Sequence, residues 1–178
     1  MVYNAVLDVQ FFSEITTEPV TQTEVVTYLK VSNDNDVALA MSIAKRARQM
    51  CEAYANISIM YRGVRAVLNN SLGGIQLPYA PYVSGLVVKD FEGNTLTHKT
   101  SPLLGTQSFI RLLEPLNDSL MVEYYAGYSF DNGTNINYPQ WAKQAILQQT
   151  AYMFANRGDD TIGMDNMAKQ TLALYRRI

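Results

Sequence analysis

VALAMSIAKRARQMCEAYANISIMYRGVRAV, residues 37–67, changes its period part-way along, and the fold class turns on that change. In its first part Val37, Ala40, Ile43, Ala44, Ala47, Met50, Cys51 and Tyr54 recur at steps of three and four, which lays one apolar stripe along a helix from about 37 to 55. Lys45, Arg48 and Glu52 share another side, flanked by Arg46 and Gln49. Lys45, Arg46 and Arg48 therefore read as a small basic ridge on a solvated face. From Ile57 the step falls to two: Ile57, Ile59 and Tyr61 alternate with Ser58, Met60 and Arg62, the pattern of a strand running towards Val67.

Upstream, residues 1–20 read as an extended apolar arm ending in Glu18-Pro19. Thr21-Gln22-Thr23-Glu24 has the spacing of a capping box, a hydroxyl at the N-cap and a carboxylate three residues on. It opens a short helix to about Lys30 that buries Val25, Val26 and Leu29. The polar run 32–36 is a turn whose acidic end caps the long helix.

Downstream, 69–81 reads as loop, punctuated by Gly73-Gly74, Pro78 and Pro81. Strands are expected over 83–91 and 94–97, joined through Glu92-Gly93-Asn94. A second pair is expected over 109–113 and 120–126, and 127–138 is a long Gly/Asn/Asp-rich loop. Pro139 opens a helix to about Asn156, with Gly158 as its C-terminal cap. Ala142, Ala145, Ile146, Tyr152 and Met153 form one apolar face of it; Trp141, Ala151 and Phe154 form another. Apolar on two sides, this helix is buried on two sides, against the rest of the fold or another subunit. A last helix over 164–177 is expected to bury Met167, Ala168, Leu172 and Tyr175. The predicted fold is α+β: a single domain over 1–178, with two long and two shorter helices and a small, mainly antiparallel sheet between the second and third helices.

With 178 residues the chain buries about 70% of its unfolded surface, enough for a core without staples. Only 17% of residues are charged, below the roughly 25% of a typical soluble domain, which favours self-association or docking into a larger body. The net charge of -2 argues against a dedicated DNA-binding module. Cys51 is the sole cysteine, so no intrachain disulfide forms. Met1 to Phe12 carry Asp8 and no Lys or Arg, unlike a signal peptide, and no run approaches the ~20 apolar residues of a membrane span. The chain is expected to be soluble and intracellular when made.

Catalytic chemistry finds little to stand on. His98 and Cys51, one of each and in separate elements, cannot make a His/Cys zinc site. His98 has no nucleophile elbow to serve, and Gly73-Gly74 lacks the Lys-Ser/Thr of a phosphate loop. Asp34-Asn35-Asp36 lacks the sixth-position Gly and twelfth-position Glu of a calcium loop and reads as a helix cap. Asp159-Asp160 and the Glu114/Asp118 pair lie at a helix end and a turn, where nothing raises a carboxyl pKa. Cys51 reads as a small buried hydrophobe. The expectation is no enzyme, no metal and no cofactor. Tyrosine is more informative: twelve occur, and the residue suits interfaces. Tyr54 and Tyr152 read as core, while Tyr128 and Tyr138, flanking the Asn/Gly loop, are contact candidates.

The run Ile15-Thr16-Thr17-Glu18-Pro19-Val20-Thr21, the short helix ending Tyr28-Leu29-Lys30-Val31, the acidic turn and the long helix closing on Cys51-Glu52-Ala53-Tyr54 together resemble the opening of tailed-phage head–tail connector (adaptor) proteins. Gln76 to Ser84 (QLPYAPYVS) resembles their proline-bracketed approach to the sheet, and Val122 to Tyr128 (VEYYAGY) their last strand. Pro139-Gln140-Trp141-Ala142-Lys143-Gln144-Ala145-Ile146, through Tyr152 and Phe154 to Asn156-Arg157-Gly158, resembles their C-terminal helix. The likeness covers about 15–158; the arm 1–14 lies outside it, and the helix 163–178 is more regular than the family's variable tails.

The resemblance implies a structural virion protein, made in the host cytoplasm and located at the neck or portal vertex. It would form a homo-oligomeric ring, often twelve-fold, that docks on the portal protein, surrounds the DNA channel and receives the next neck or tail protein. Contact with genomic DNA would be transient and non-specific, and no membrane or cofactor is involved. By the family's habit the C-terminal segment would dock on the portal, here Leu172, Leu174, Tyr175, Arg176 and Arg177. Trp141, Ala151, Phe154, Tyr128 and Tyr138 are the candidates for the subunit interface, because a ring needs two different sticky surfaces on each copy. Two alternatives stand beside this reading: another neck component, such as a stopper or tail-completion protein, and a nucleic-acid-binding module using Lys45, Arg46, Arg48, Arg62 and Arg65.

Overall fold

The capping box at Thr21 forms as the spacing requires: the Glu24 amide donates to the Thr21 hydroxyl at 3.2 Å, and the Thr21 amide donates to the Glu24 carboxylate at 2.7 Å. It starts α1 (Gln22–Leu29), which ends on Lys30 in the left-handed region. Asn33, one residue before the acids, caps α2 (Asp34–Ala55), and its side chain accepts from the amides of Asn35 and Asp36. Asp34 and Asp36 occupy the first turn, where their charge suits the helix dipole.

These observations come from a computed structural model that describes residues 6–13, 17–69, 74–103, 107–113, 118–128, 138–159 and 163–176. The remaining elements are β1 (Val6–Phe11), β2 (Arg62–Leu68), β3 (Ile75–Gln76), β4 (Tyr82–Lys89), β5 (His98–Leu103), β6 (Gln107–Leu112), β7 (Leu120–Ala126), α3 (Gln140–Ala155) and α4 (Asn166–Ala173).

The chain divides into two units. The first takes residues 1–15 and 60–135 and is β-rich. One antiparallel sheet has the order β1-β2-β7-β4, and a second has the order β3-β6-β5. Strict alternation along β7 sends Leu120, Val122, Tyr124 and Ala126 inward. They meet Val64, Ala66 and Leu68 from β2, Val88 from β4, and Ile75, Leu77 and Ile110 from the second sheet and its approach. Tyr124 is fully buried in this core and its hydroxyl donates to the Pro78 carbonyl. Gly127 closes the edge of the core at φ +135°, and a Cβ there would sit 2.3 Å from the Met60 carbonyl oxygen, so no other residue fits.

The second unit takes residues 16–59 and 136–178 and is helical. α3 packs against α2 on one side and α4 on the other. The buried residues on these helices include a run of small ones (Ala40, Ala44, Ala47 and Cys51 on α2; Ala142 and Ala145 on α3), which allows close approach. The second apolar side of α3 is thus met in part by α4 of the same chain: Trp141 stacks on Tyr175 with centroids 3.9 Å apart.

Several expectations need correction. The β structure is not a small sheet placed between the second and third helices. Among the described residues seven strands form two antiparallel sheets, and β1 precedes every described helix, pairing with β2 at the sheet edge. The fold is mixed α+β on that different plan. Neighbouring β6 and β7 are not a pair: β6 bonds to β5 and β3, and β7 to β2 and β4. Residues 57–61 are not a strand, because Glu52 at the α2 terminus takes the amides of Ile57 and Ile59. Ile57 N–H donates to the Glu52 carbonyl at 3.1 Å and Ile59 N–H to the Glu52 carboxylate at 2.8 Å. The turn after β4 forms, with a single bridge between Lys89 and Thr95 in place of a second long strand. In α4 Ala168 and Leu172 are buried, while Met167 is 62% exposed.

Candidate functional site

Arg48 is not on a basic ridge. It is buried, with Nε 2.7 Å from Glu18 and Nη1 2.6 Å from Glu52. Burial alone would weaken the guanidinium's hold on its proton, but the Glu18 and Glu52 carboxylates outweigh it and push its pKa up. This clamp ties residues 17–20 to α2, and the Tyr138 hydroxyl reinforces the link by donating to the Thr17 carbonyl at 3.1 Å. Arg62 is buried against the Phe11 ring, its guanidinium carbon 3.7 Å from the centroid. Arg65 pairs with Glu123 across β2 and β7 at 2.5 Å. Of the five basic residues proposed for nucleic-acid contact, Lys45 and Arg46 remain exposed and not committed to a salt bridge among the described residues.

Several of the polar residues weighed for catalysis have local partners. Cys51 is buried, which pushes its thiol up to about 12 with a further contribution from Glu52, so it stays a thiol near neutrality. His98 Nδ1 lies 3.1 Å from the Leu96 carbonyl. Asp36 accepts from the capping residue Asn33 and pairs with Arg157 at 3.2 Å. Asp118 and Asp159 are exposed; Gly73, Glu114 and Asp160 fall outside the described residues. Among the described residues no group of three or more His, Cys, Asp or Glu is placed to hold a metal ion, and no helix is long and apolar enough to cross a membrane.

The candidates for assembly separate clearly. Leu172 is fully buried and fastens α4, whereas Leu174, just past the helix end, is 89% exposed. Tyr175 lies on Trp141, and the Arg176 guanidinium sits over the Tyr54 ring at 4.7 Å. Arg177 lies outside the described residues. Ala151 and Phe154 are half-buried, and Arg157 covers the Phe154 ring at 4.7 Å. Tyr128 is half-buried and Tyr138 is buried; Tyr152, read as core, is exposed.

Two features escaped the sequence reading. Gln149, buried on α3, accepts from the Asp165 amide at 2.7 Å and donates to the Gly163 carbonyl at 3.1 Å, so one side chain shapes the approach to α4. The second is β1. Val6, Phe11 and Phe12 are 44–45% exposed and Leu7 is 58% exposed, all on or beside an edge strand. The absence of Lys, Arg and Pro from 6–12 was the available signal.

No protein-family model matches the chain, and no curated protein matches it. Solved structures do. A chain in the neck of an empty GTA particle, computed with C6 symmetry, aligns with TM-score 0.68 and 17% identity over 97% of this chain and 96% of that one. A chain in the virion of a native gene transfer agent (GTA) particle aligns with TM-score 0.65 and 17% identity, covering 93% and 95%. A third, in the neck of a native GTA particle computed with C12 symmetry, aligns with TM-score 0.59 and 19% identity, covering 95% and 96%. Over nearly its whole length the chain has the fold of these particle proteins, in line with the head–tail connector resemblance carried by its sequence.

Proposed function

We propose that this protein is a structural, non-enzymatic component of the neck of a phage-like particle. It forms a ring, acts as the adaptor on the portal and joins head to tail around the DNA channel. The observation that carries the reading is the near-complete match of this fold to chains of GTA necks, in structures computed with C6 and C12 symmetry. The low charged fraction supports it, since a ring subunit buries much of its surface against neighbours. On this reading Leu174, with Arg176 and Arg177, docks on the portal, while Leu172 and Tyr175 hold the helix that presents them. Trp141, Ala151, Phe154, Tyr128 and Tyr138 lie towards the neighbouring copy or support the residues that do.

The test is to mix the protein with the portal encoded by the same genome and average negatively stained complexes. An added ring on one end of the portal is expected, and Leu174→Asp is expected to abolish it while leaving the thermal unfolding curve unchanged. Bare portals in the presence of well-folded protein would exclude the adaptor role and leave a stopper or tail-completion position, or a role outside the particle.

A further inference from the structure

The described sheet edges are not alike. β4 carries two register irregularities, between Tyr82 and Ser84 and between Ser84 and Val87, which blunt an edge by bending it. β5 carries Lys99 and Pro102, a charge and a missing donor. β3 is two residues long. Each has a recognised protection against pairing with another chain. β1 has less: one irregularity at its Val6/Asp8 end and the polar Asp8 and Gln10, its other residues being Val6, Leu7, Val9 and Phe11, with Phe12 following.

Over its second half the outer backbone of β1 has no strand partner among the described residues. Phe12 N–H donates to the Gly63 carbonyl at 3.2 Å, so Phe12 faces β2. Amide direction alternates along an antiparallel strand, so the amides and carbonyls of Val9 and Phe11 point away from the sheet. The register irregularity of β1 lies at its other end, between Val6 and Asp8. Apolar groups project on both sides of the ribbon. Val6, Val9 and Phe11 stand opposite Leu68, Ala66 and Val64 on the core side. Phe12 packs edge-on against Tyr125 on the other, filling space that Gly63 leaves open.

We infer that β1 is a subunit contact of the ring, its outer edge pairing with an extended segment of the neighbouring copy. The inference rests on the ring reading above. It commits to a second copy because a cyclic assembly brings one to every subunit, and to a head-to-tail contact because β1 against β1 would close a dimer and stop. The chain's low charge allows such copies to approach closely.

The test compares full-length wild type, Leu7→Lys and Phe91→Lys. Phe91 is a similarly exposed apolar residue, in the turn beyond β4. Self-association is followed by mass photometry, alone and on portals. Leu7→Lys is expected to weaken it about tenfold or more, with Phe91→Lys matching wild type. A photo-crosslinking residue at position 7 in otherwise wild-type protein is expected to capture a second copy, which guards against misfolding of the lysine variant. Rings of Leu7→Lys at wild-type concentrations, or no crosslink within wild-type rings, would overturn the β1 assignment and leave the ring reading intact. Wild type that never forms rings, alone or on portals, would overturn both.

Discussion

Arg48 lies about two turns before the end of α2 and reaches two carboxylates, one four residues on and one 30 residues back. Removing it leaves the buried Glu52 carboxylate without its guanidinium, the costly way to break an ion pair. Arg48→Met is expected to lose about 3–5 kcal/mol in urea unfolding, whereas Lys45→Met, on the exposed side, changes little. Glu24 gives a pH test. Partial burial would raise its pKa, but the Lys143 ammonium at 2.8 Å and the Thr21 amide and hydroxyl outweigh that and hold it below the ordinary carboxylate range. A pKa lowered on folding adds stability that is complete above the unfolded value, about 4.3, and disappears as pH falls through the folded one. The stability advantage of wild type over Glu24→Gln is therefore expected to be full near pH 6 and to vanish on acidification, as read from urea midpoints at each pH.

Among the elements, α4 depends most on a single side chain elsewhere. Gln149→Leu would leave the Asp165 amide and Gly163 carbonyl without their partner, at a cost of about 1–3 kcal/mol. Trp141 is the only tryptophan and stacks on Tyr175 beyond α4, so its fluorescence reports on that docking. In Gln149→Leu the fluorescence transition is expected to precede loss of circular dichroism on heating; coincident transitions would refute this role. The helices were legible because their signals are local: the Thr21–Glu24 cap, the α2 stripe, and Pro139 ahead of α3. Strand partnership was not. Arg65 and Glu123 meet across 58 residues, and no periodicity encodes that pairing. Ile57 and Ile59 have the alternation of a strand, but Glu52 intercepts their amides. The same limit hid the fate of Arg48: its helical position and Glu52 were readable, but not Glu18 arriving from the arm.

For the whole molecule, two separate routes agree: short motifs resemble head–tail connector proteins, and the topology matches chains of GTA particles. The assembly candidates were less legible, since exposure is a property of the finished fold: Leu172 and Leu174 are two residues apart, one wholly buried and one 89% exposed. Neither unit is a continuous stretch of chain. Residues 60–135 expressed without 1–15 would present the bare flank of β2 to solvent and are expected to aggregate, as judged by light scattering against the full chain.

The order of synthesis adds a consequence. β1 leaves the ribosome ahead of the other described elements, yet it becomes a strand only when β2 emerges to template it; Ser13 and the Gly63 amide that bonds it are 50 residues apart. Both helices α1 and α2 are made in the interval. A nascent chain therefore carries the arm without a partner for its backbone until β2 has been made, and a copy halted before β2 would lack the strand that the proposed ring contact uses.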